Sequence, residues 1–133
     1  LICDLDGTLA IHNGRGPFEL DKCHTDVVSP AVKWAIEAYS GRVIFMSGRE
    51  DKCREKTIKW IQDNVPSLRY PEPLLYMRTT GDVRSDSVVK HELFMNNVYN
   101  KYFVELVLDD RNKVVDMWRA IGLPCFQVNY GDF

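Results

Sequence analysis

Five short apolar runs, separated by stretches of helical periodicity, restrict the fold of this chain more than any other feature. The runs occupy residues 1–4, 42–46, 74–77, 105–108 and 125–128. Run 42–46 is apolar almost throughout, the pattern of a strand covered on both faces. Between the runs, Val32, Ala35, Ile36 and Tyr39 recur at helical spacing. So do Cys53, Thr57, Trp60 and Ile61 within 50–64, then Val89 and Leu93, then Val114, Val115, Trp118 and Ile121. Ser29 before Pro30 predicts where the first helix starts, and Gly41 where it stops. Asp86 is the expected cap of the third helix, which runs towards Tyr102, and Gly122 closes the fourth. Strand and helix alternating over short connections predict a Rossmann-like α/β domain, with a central parallel sheet of about five strands and helices on both faces. Segments 9–29 and 65–85 read as loops overhanging one sheet edge, a minimal cap, and residues 1–133 as one domain. Only three residues precede Asp4, where a strand commonly runs about 5–6, so the first strand is expected to continue into a longer polypeptide.

Polar residues fall where the runs end: Asp4 and Asp6 after the first, Ser47 after the second, Asp109 and Asp110 after the fourth. In a parallel sheet these ends share one edge, and open α/β sheets bind their ligands there. In Asp4-Leu5-Asp6-Gly7-Thr8, two close carboxylates repel each other unless a cation or a proton lies between them. A divalent ion, with one carboxylate left to do chemistry, is the simplest account. Gly7 permits a sharp turn, and Thr8 offers a hydroxyl and an N–H. Lys90 lies four residues after Asp86, on the same face of a first helical turn. From its place between Gly14 and Gly16 alone, Arg15 reads as a solvated loop residue. His12, His24 and His91 lack the paired spacing of a zinc site.

The order Asp4/Asp6, Ser47, Lys90, Asp109/Asp110 resembles the ordered motifs of the haloacid dehalogenase superfamily of phosphotransferases. That resemblance implies a magnesium-dependent phosphatase. A phosphate monoester dianion repels nucleophiles, so the site must cancel negative charge and hold phosphorus in line with an attacker. The implied Mg²⁺ ligands are Asp4, Asp109 and the backbone carbonyl of Asp6, with Asp110 binding directly or through water; Mg²⁺ takes hard oxygen ligands. Asp4 is the implied nucleophile. Asp6 is the implied general acid and base, which asks for surroundings that favour its protonated form in the first step. Ser47, Thr8 and Gly48 would bind phosphoryl oxygens, and Lys90 would supply positive charge to phosphate and to Asp4.

Further stretches resemble the 3′-phosphatase domains of the bacteriophage polynucleotide kinase-phosphatase family, which heals broken RNA and DNA ends. They are Asn13-Gly14-Arg15-Gly16-Pro17-Phe18, Thr25-Asp26-Val27, Ser47-Gly48-Arg49-Glu50, Gly81-Asp82-Val83-Arg84, Val88-Val89-Lys90, Asp109-Asp110-Arg111, Val114-Val115-Asp116-Met117-Trp118-Arg119 and Gly131-Asp132-Phe133. The resemblance implies removal of a 3′-phosphate from a nucleic-acid end or a 3′-nucleotide, with 2′,3′-cyclic phosphate as a further substrate. It adds Arg15, Arg49 and Asp86 to the essential set. Arg15 would reach the phosphate or the adjacent backbone, and Arg49 would orient the phosphate or brace the site through Asp86. Arg78 and Arg84 would join them along a basic cleft mouth, with Tyr70 and Tyr76 available for stacking. Full-length members carry an N-terminal kinase domain; this chain has no Gly-x-x-x-x-Gly-Lys-Ser/Thr loop, so a kinase in the same polypeptide stays open, as does a homo-oligomer. The match at the carboxyl end implies a natural terminus there, while the spacer after Arg49 is shorter than the family pattern.

Charge supplies the counterweight. The 133 residues are 45% hydrophobic and 27% charged with a net charge of −2, so a global positive field for long nucleic acid is absent while a local basic patch is allowed. Cys3 and Cys125 sit in apolar runs and no Cys-x-x-Cys occurs, which predicts reduced core thiols and a cytoplasmic protein. No apolar stretch approaches the ~20 residues of a membrane span. Two other readings compete. One is a haloacid dehalogenase-like phosphatase of a small phosphorylated metabolite or mononucleotide, which suits the near-neutral charge. The other is a phospho-accepting receiver module, which also uses acids, a hydroxyl, a lysine and Mg²⁺. Receivers place the acceptor on a middle strand in sequence, whereas Asp4 ends the first, and they lack a shuttle such as Asp6.

Overall fold

The structure is a computed structural model that describes residues 1–133. Along the chain run β1 (Ile2–Cys3), β2 (Ala10–Ile11), β3 (Val27–Val28), α1 (Pro30–Ala38), β4 (Ile44–Glu50), α2 (Arg54–Asn64), β5 (Leu74–Arg78), α3 (Asp86–Asn97), β6 (Val107–Asp109), α4 (Asn112–Ala120) and β7 (Cys125–Gln127). The central sheet has the order β5-β4-β1-β6-β7, and every pairing in it is parallel. The chain lays β4 and β5 on one side of β1, then returns to lay β6 and β7 on the other. That reversal opens a crevice at the carboxyl end of β1, where open sheets bind ligands. β1 is short but held from both sides, by Ile2 and Asp4 amides donating to the Leu106 and Leu108 carbonyls and by the Ile44 amide donating to that of Leu1.

Alternation along the strands divides the core into two layers. Leu1, Cys3, Leu5 and Phe45 face Val32 and Ile36 of α1 and Ile58, Trp60 and Ile61 of α2. Ile2, Ile44, Met46 and Val107 face Phe94 and Val98 from α3 and its end, with Val114, Val115 and Trp118 of α4. Phe94 meets Trp118 edge to face, with centroids 5.7 Å apart, a geometry that suits the ring quadrupoles. Helices therefore cover both faces of a five-strand parallel sheet, as the sequence pattern predicts.

Several boundaries differ from that pattern. β4 does not stop at Ser47 but runs to Glu50, with a bulge between Ser47 and Glu50 in its pairing to β5. Bulges re-aim side chains, and here Ser47 and Arg49 both end up buried. Segment 9–29 is not all loop: β2 and β3 pair antiparallel, and Leu20–Thr25 forms a 3-10 turn that buries Cys23. α1 ends at Ala38, three residues before Gly41, with the Tyr39 amide donating to the Ala35 and Ile36 carbonyls. α3 is preceded by Ser85, and Asp86 is its first residue rather than its cap; the Asp86 carboxylate is used elsewhere. α3 stops at Asn97, well short of Tyr102. All four cysteines are buried and unpaired. No helix is long and apolar enough to cross a membrane.

Candidate active site

Two buried charge clusters lie at the carboxyl edge of the sheet. The first gathers Asp4, Asp86, Asp109 and Asp110 about Lys90. The Lys90 Nζ donates to Asp4 Oδ1 at 2.7 Å and Asp109 Oδ2 at 2.9 Å, and Asp86 Oδ2 lies 3.5 Å away. Thr8 Oγ1 donates to the other oxygen of Asp4 at 2.9 Å and approaches Asp110 Oδ1 at 3.5 Å. Both oxygens of Asp4 are therefore fixed by the protein. Trp118 Nε1 donates to Asp109 Oδ2 at 3.3 Å, and the Asp110 amide to Asp109 Oδ1 at 2.9 Å. Two glycines make room for this cluster. A Cβ on Gly7, at φ +81°, would run into the Asp110 carboxylate, and one on Gly48 would run into that of Asp86.

Asp86 also has the Arg78 and Arg111 guanidiniums at 3.4 Å and 3.9 Å, but Asp4, Asp109 and Asp110 share the one ammonium, an excess of two negative charges in a site where all four groups are buried. Burial, then the neighbouring Asp109 charge, push the Asp4 carboxyl well above its usual range. The same two causes raise Asp110. Burial opposes the charge on Lys90, but Asp109, Asp4 and Asp86 outweigh it and raise its pKa. Carboxylate oxygens of Asp4, Asp109 and Asp110 lie within 4.8 Å of one another. An all-oxygen donor set with surplus negative charge fits a hard divalent cation.

The second cluster is balanced. Arg15 forks onto Asp26 through Nε at 2.7 Å and Nη2 at 2.9 Å, and the same Nη2 reaches Asp6 Oδ1 at 2.9 Å. Arg49 grips Asp6 through Nε at 2.9 Å and Nη2 at 2.7 Å, and also donates to Asp26 at 2.8 Å and Thr57 at 3.2 Å. His12 Nε2 lies 3.0 Å from Asp6 Oδ1. Asp6, His12 and Asp26 have the spacing of a metal site, but two guanidiniums already supply the positive charge there. Trp60 Nε1 donates to the Asp26 carbonyl at 2.9 Å, which ties this cluster to α2.

Several sequence expectations change at this point. Arg15 is not a solvated loop residue; its side chain is fully buried. Arg49 does not brace the site through Asp86: its partners are Asp6 and Asp26, and Asp86 instead takes Arg78 Nη2 at 3.4 Å. The Asp6 side chain points into the arginine cluster, away from the other three acids. Burial opposes its ionisation, but hydrogen bonds from His12 and Arg49 hold its carboxyl well below the usual range, the reverse of surroundings that keep it protonated. Ser47 lies buried in the bulge, its hydroxyl accepting the Arg49 amide at 3.1 Å, so its hydrogen is free to be donated. The basic cleft mouth is not assembled from Arg78 and Arg84. Arg78 donates to the carbonyls of Gly48, Asp82 and Arg84, and Arg84 is paired with Asp82 and Glu92. Tyr70 is exposed, and Tyr76 packs against the core.

Asp26 and His12 join the site although the sequence assigns neither a role; Asp26 lies in the Thr25-Asp26-Val27 stretch that carries the resemblance. Its signal was indirect: two arginines in the essential set need buried counter-charge, and Asp26 is the acid that directly precedes β3 in the overhanging segment.

The sheet order and the acid cluster on its carboxyl edge define a haloacid dehalogenase-like α/β domain of the phosphatase type. Residues 1–133 match the family described as the polynucleotide kinase PNKP phosphatase domain, and the chain belongs to that family. A protein of Autographa californica nuclear polyhedrosis virus, provisionally named a bifunctional polynucleotide kinase/RNA ligase, is 34% identical over 130 residues, spanning 93% of this chain and 18% of its own length. A chain in the structure of the Pnkp1/Rnl/Hen1 RNA repair complex superposes with a TM-score of 0.88 and 46% identity, over 99% of this chain and 42% of that one. A second structure of the Pnkp1/Rnl/Hen1 complex gives the same score and identity and is covered over 46% of its length. The chain therefore spans less than half the length of each of these relatives.

Proposed function

We propose that this domain removes the 3′-phosphate from nucleic-acid ends, RNA ends above all, through an aspartyl-phosphate on Asp4, and that it also acts on 2′,3′-cyclic phosphate. The observation that carries this reading is the Asp4 carboxylate fixed by Thr8 and by a Lys90 shared with Asp109, in a chain matched from end to end by the PNKP phosphatase-domain family. The names of its relatives support RNA as the substrate and a kinase domain in the same polypeptide, in a repair setting.

Mg²⁺ would be held by Asp4, Asp109 and Asp110, with the Asp6 carbonyl. When bound, it would neutralise charge on the phosphoryl group. Asp4 attacks phosphorus, and the bond to the 3′-oxygen breaks. Ser47 and Lys90 hold phosphoryl oxygens. Asp6 gives its proton to the departing 3′-oxygen, then takes one from the water that cleaves the aspartyl-phosphate, which returns Asp4 and releases inorganic phosphate. Asp6 is ionised while Arg15 and Arg49 hold it. The incoming phosphate dianion competes for Arg49 and frees Asp6 to take up a proton.

The test offers three substrates with Mg²⁺: a 3′-phosphorylated oligonucleotide, its 5′-phosphorylated isomer and a sugar phosphate. Preferential release from the 3′ end is the expected result. Equal release from all three favours the second reading, a phosphatase of small metabolites or mononucleotides, which draws on the internal pairing of Arg78 and Arg84.

Metal binding has a signature in stability. A carboxyl whose pKa folding raises stabilises the native state fully below its unfolded value, about 3.9, and loses that contribution as pH climbs through the folded value. Asp4 and Asp110 are such groups. Ion-free protein thus loses stability over that interval, and a dication on those oxygens restores it. Mg²⁺ is expected to raise Tm by several degrees near neutral pH and by less at about pH 4.5, with the increment lost in Asp109→Asn. Equal increments at both pH values would contradict this.

A further inference from the structure

One more cation stands at the rim of the first cluster, and the chemistry above does not use it. Asp86 Oδ2 lies 3.5 Å from Lys90 Nζ and 3.9 Å from Arg111 Nη1. Lys90 in turn bonds Asp4 at 2.7 Å. A single carboxylate oxygen therefore separates the Arg111 guanidinium from the ammonium beside the nucleophile. Arg111 differs from the other arginines of this edge in what its donors do. Arg15 and Arg49 are buried on Asp6 and Asp26. Arg78 donates to three carbonyls, and Arg84 is spent on Asp82 and Glu92. The Arg111 side chain is 35% exposed, and its one hydrogen bond runs from Nε to the Phe133 carbonyl at 3.2 Å. A contact of 3.9 Å is too long to be another, so the donors on Nη1 and Nη2 are unspent. The residue is nonetheless held in place. Its amide reaches Asp109 Oδ1 at 3.4 Å, and its carbonyl accepts the Val114 and Val115 amides at 3.0 and 2.9 Å, which fixes it at the amino end of α4. That helix has no acid in its first turn, so its positive end adds to the charge of the guanidinium.

We propose that Arg111 binds the last internucleotide phosphate, the phosphodiester on the 5′-oxygen of the ribose whose 3′-oxygen carries the reacting phosphate. The proposal rests on the polynucleotide reading above. Neighbouring phosphates of a strand are one ribose apart. With the terminal phosphate on Asp4 and Lys90, the next one needs a cation a short step away. Arg111, across one Asp86 oxygen from Lys90, is the arginine of this edge that is so placed and has free donors. Its planar fork can give two directed bonds to a phosphodiester. A net charge of −2 and the internal pairing of Arg78 and Arg84 leave little long-range attraction for a nucleic-acid backbone, so the grip must come from a cation fixed at the site. Arg111 touches no reacting atom. Its effect is on specificity: a 3′-nucleotide has no phosphodiester to offer it, whereas the end of a strand always has one, whatever the base. Sequence tolerance follows, because phosphate contacts position a strand without reading it.

The experiment compares two 3′-phosphorylated oligonucleotides that differ only in the last internucleotide linkage, an ordinary phosphodiester in one and an uncharged methylphosphonate in the other. The wild type is expected to show a KM ~10-fold lower for the charged linkage, the scale of one hydrogen-bonded charge. Arg111→Gln erases that difference, with the loss on KM. Arg111→Lys, which keeps the charge and loses the fork, retains part of it. Lys59→Gln removes the same unit of charge from an exposed site on α2 and keeps all of it, which separates a local contact from the overall field. For the ordinary oligonucleotide, the slope of log KM against log salt concentration falls by about 0.7 in Arg111→Gln, the share of one phosphate on a single strand. The proposal is overturned if Arg111→Gln retains the discrimination, or if it raises KM for both oligonucleotides alike. A wild type that cleaves both with one KM overturns it too, and leaves the polynucleotide reading standing. If the wild type releases phosphate from neither oligonucleotide but does so from a sugar phosphate, the polynucleotide reading fails and the Arg111 contact falls with it.

Discussion

Asp4→Asn is expected to abolish phosphate release, lowering kcat by ~10⁴-fold or more, the scale of removing a covalent nucleophile, while the protein folds normally. The side chain is nearly isosteric. The amide oxygen can still accept from either Lys90 Nζ or Thr8 Oγ1, which hold the two carboxylate oxygens of the native residue. What disappears is the anionic oxygen that must bond to phosphorus. Asparagine also removes one negative charge from a cluster in which Asp4, Asp109 and Asp110 share a single lysine, so the metal-free variant is expected to unfold at a Tm equal to or above that of the wild type. Activity and stability therefore move in opposite directions, which separates a chemical role from a structural one. Circular dichroism melts in chelator, beside steady-state release, measure both. Wild-type turnover by Asp4→Asn would refute the assignment of the nucleophile.

Lys90→Met is the second large effect, and it strikes fold and activity together. Methionine fills similar volume, but the ammonium bonded to Asp4 and Asp109 is lost from a position only 1% exposed. Removing one partner of a buried ion pair costs about 3–5 kcal/mol because the other is left uncompensated, and here Asp4, Asp109 and Asp86 all lose the same cation. Against a typical domain stability of about 5–15 kcal/mol, the metal-free variant should lose much of its urea resistance. Activity should fall by ~10³-fold, the upper range for loss of one charge-stabilising donor. Adding Asp109→Asn should return part of the stability and none of the activity. A Lys90→Met protein as stable in chelator as the wild type would show that the lysine does not neutralise the acids.

These residues were legible in the sequence for a simple reason. Asp4, Ser47, Asp109 and Asp110 sit where apolar runs end, and a parallel sheet gathers all such ends on one edge. Lys90 was legible through its place in the ordered motif set that the family resemblance supplies. The arginine cluster was not. Arg15 and Asp26 lie on a segment with little periodicity, and what pairs them is the β2–β3 ladder, only two residue pairs long. Arg49 depended on the bulge in β4, which no apolar pattern records. The bulge turns Arg49 towards Asp6 and Asp26 rather than Asp86, and that contact is what keeps Asp6 ionised. α1 stops at Ala38 ahead of its glycine signal at Gly41, while α3 stops at Asn97 with Asn100 just beyond it at φ +63°, an asparagine signal for a helix end that the apolar pattern towards Tyr102 overrode.

The most direct test is to trap the bond between the enzyme and phosphorus. Wild-type protein is mixed with Mg²⁺ and a 3′-phosphorylated oligonucleotide labelled in the terminal phosphate. The reaction is quenched in acid at early times, and peptides are mapped by mass spectrometry. One phosphoryl group on the peptide bearing Asp4, labile to hydroxylamine and missing in Asp4→Asn, is the predicted result. Label on any other residue would contradict the account, as would turnover of the oligonucleotide with no labelled peptide at any time of quenching.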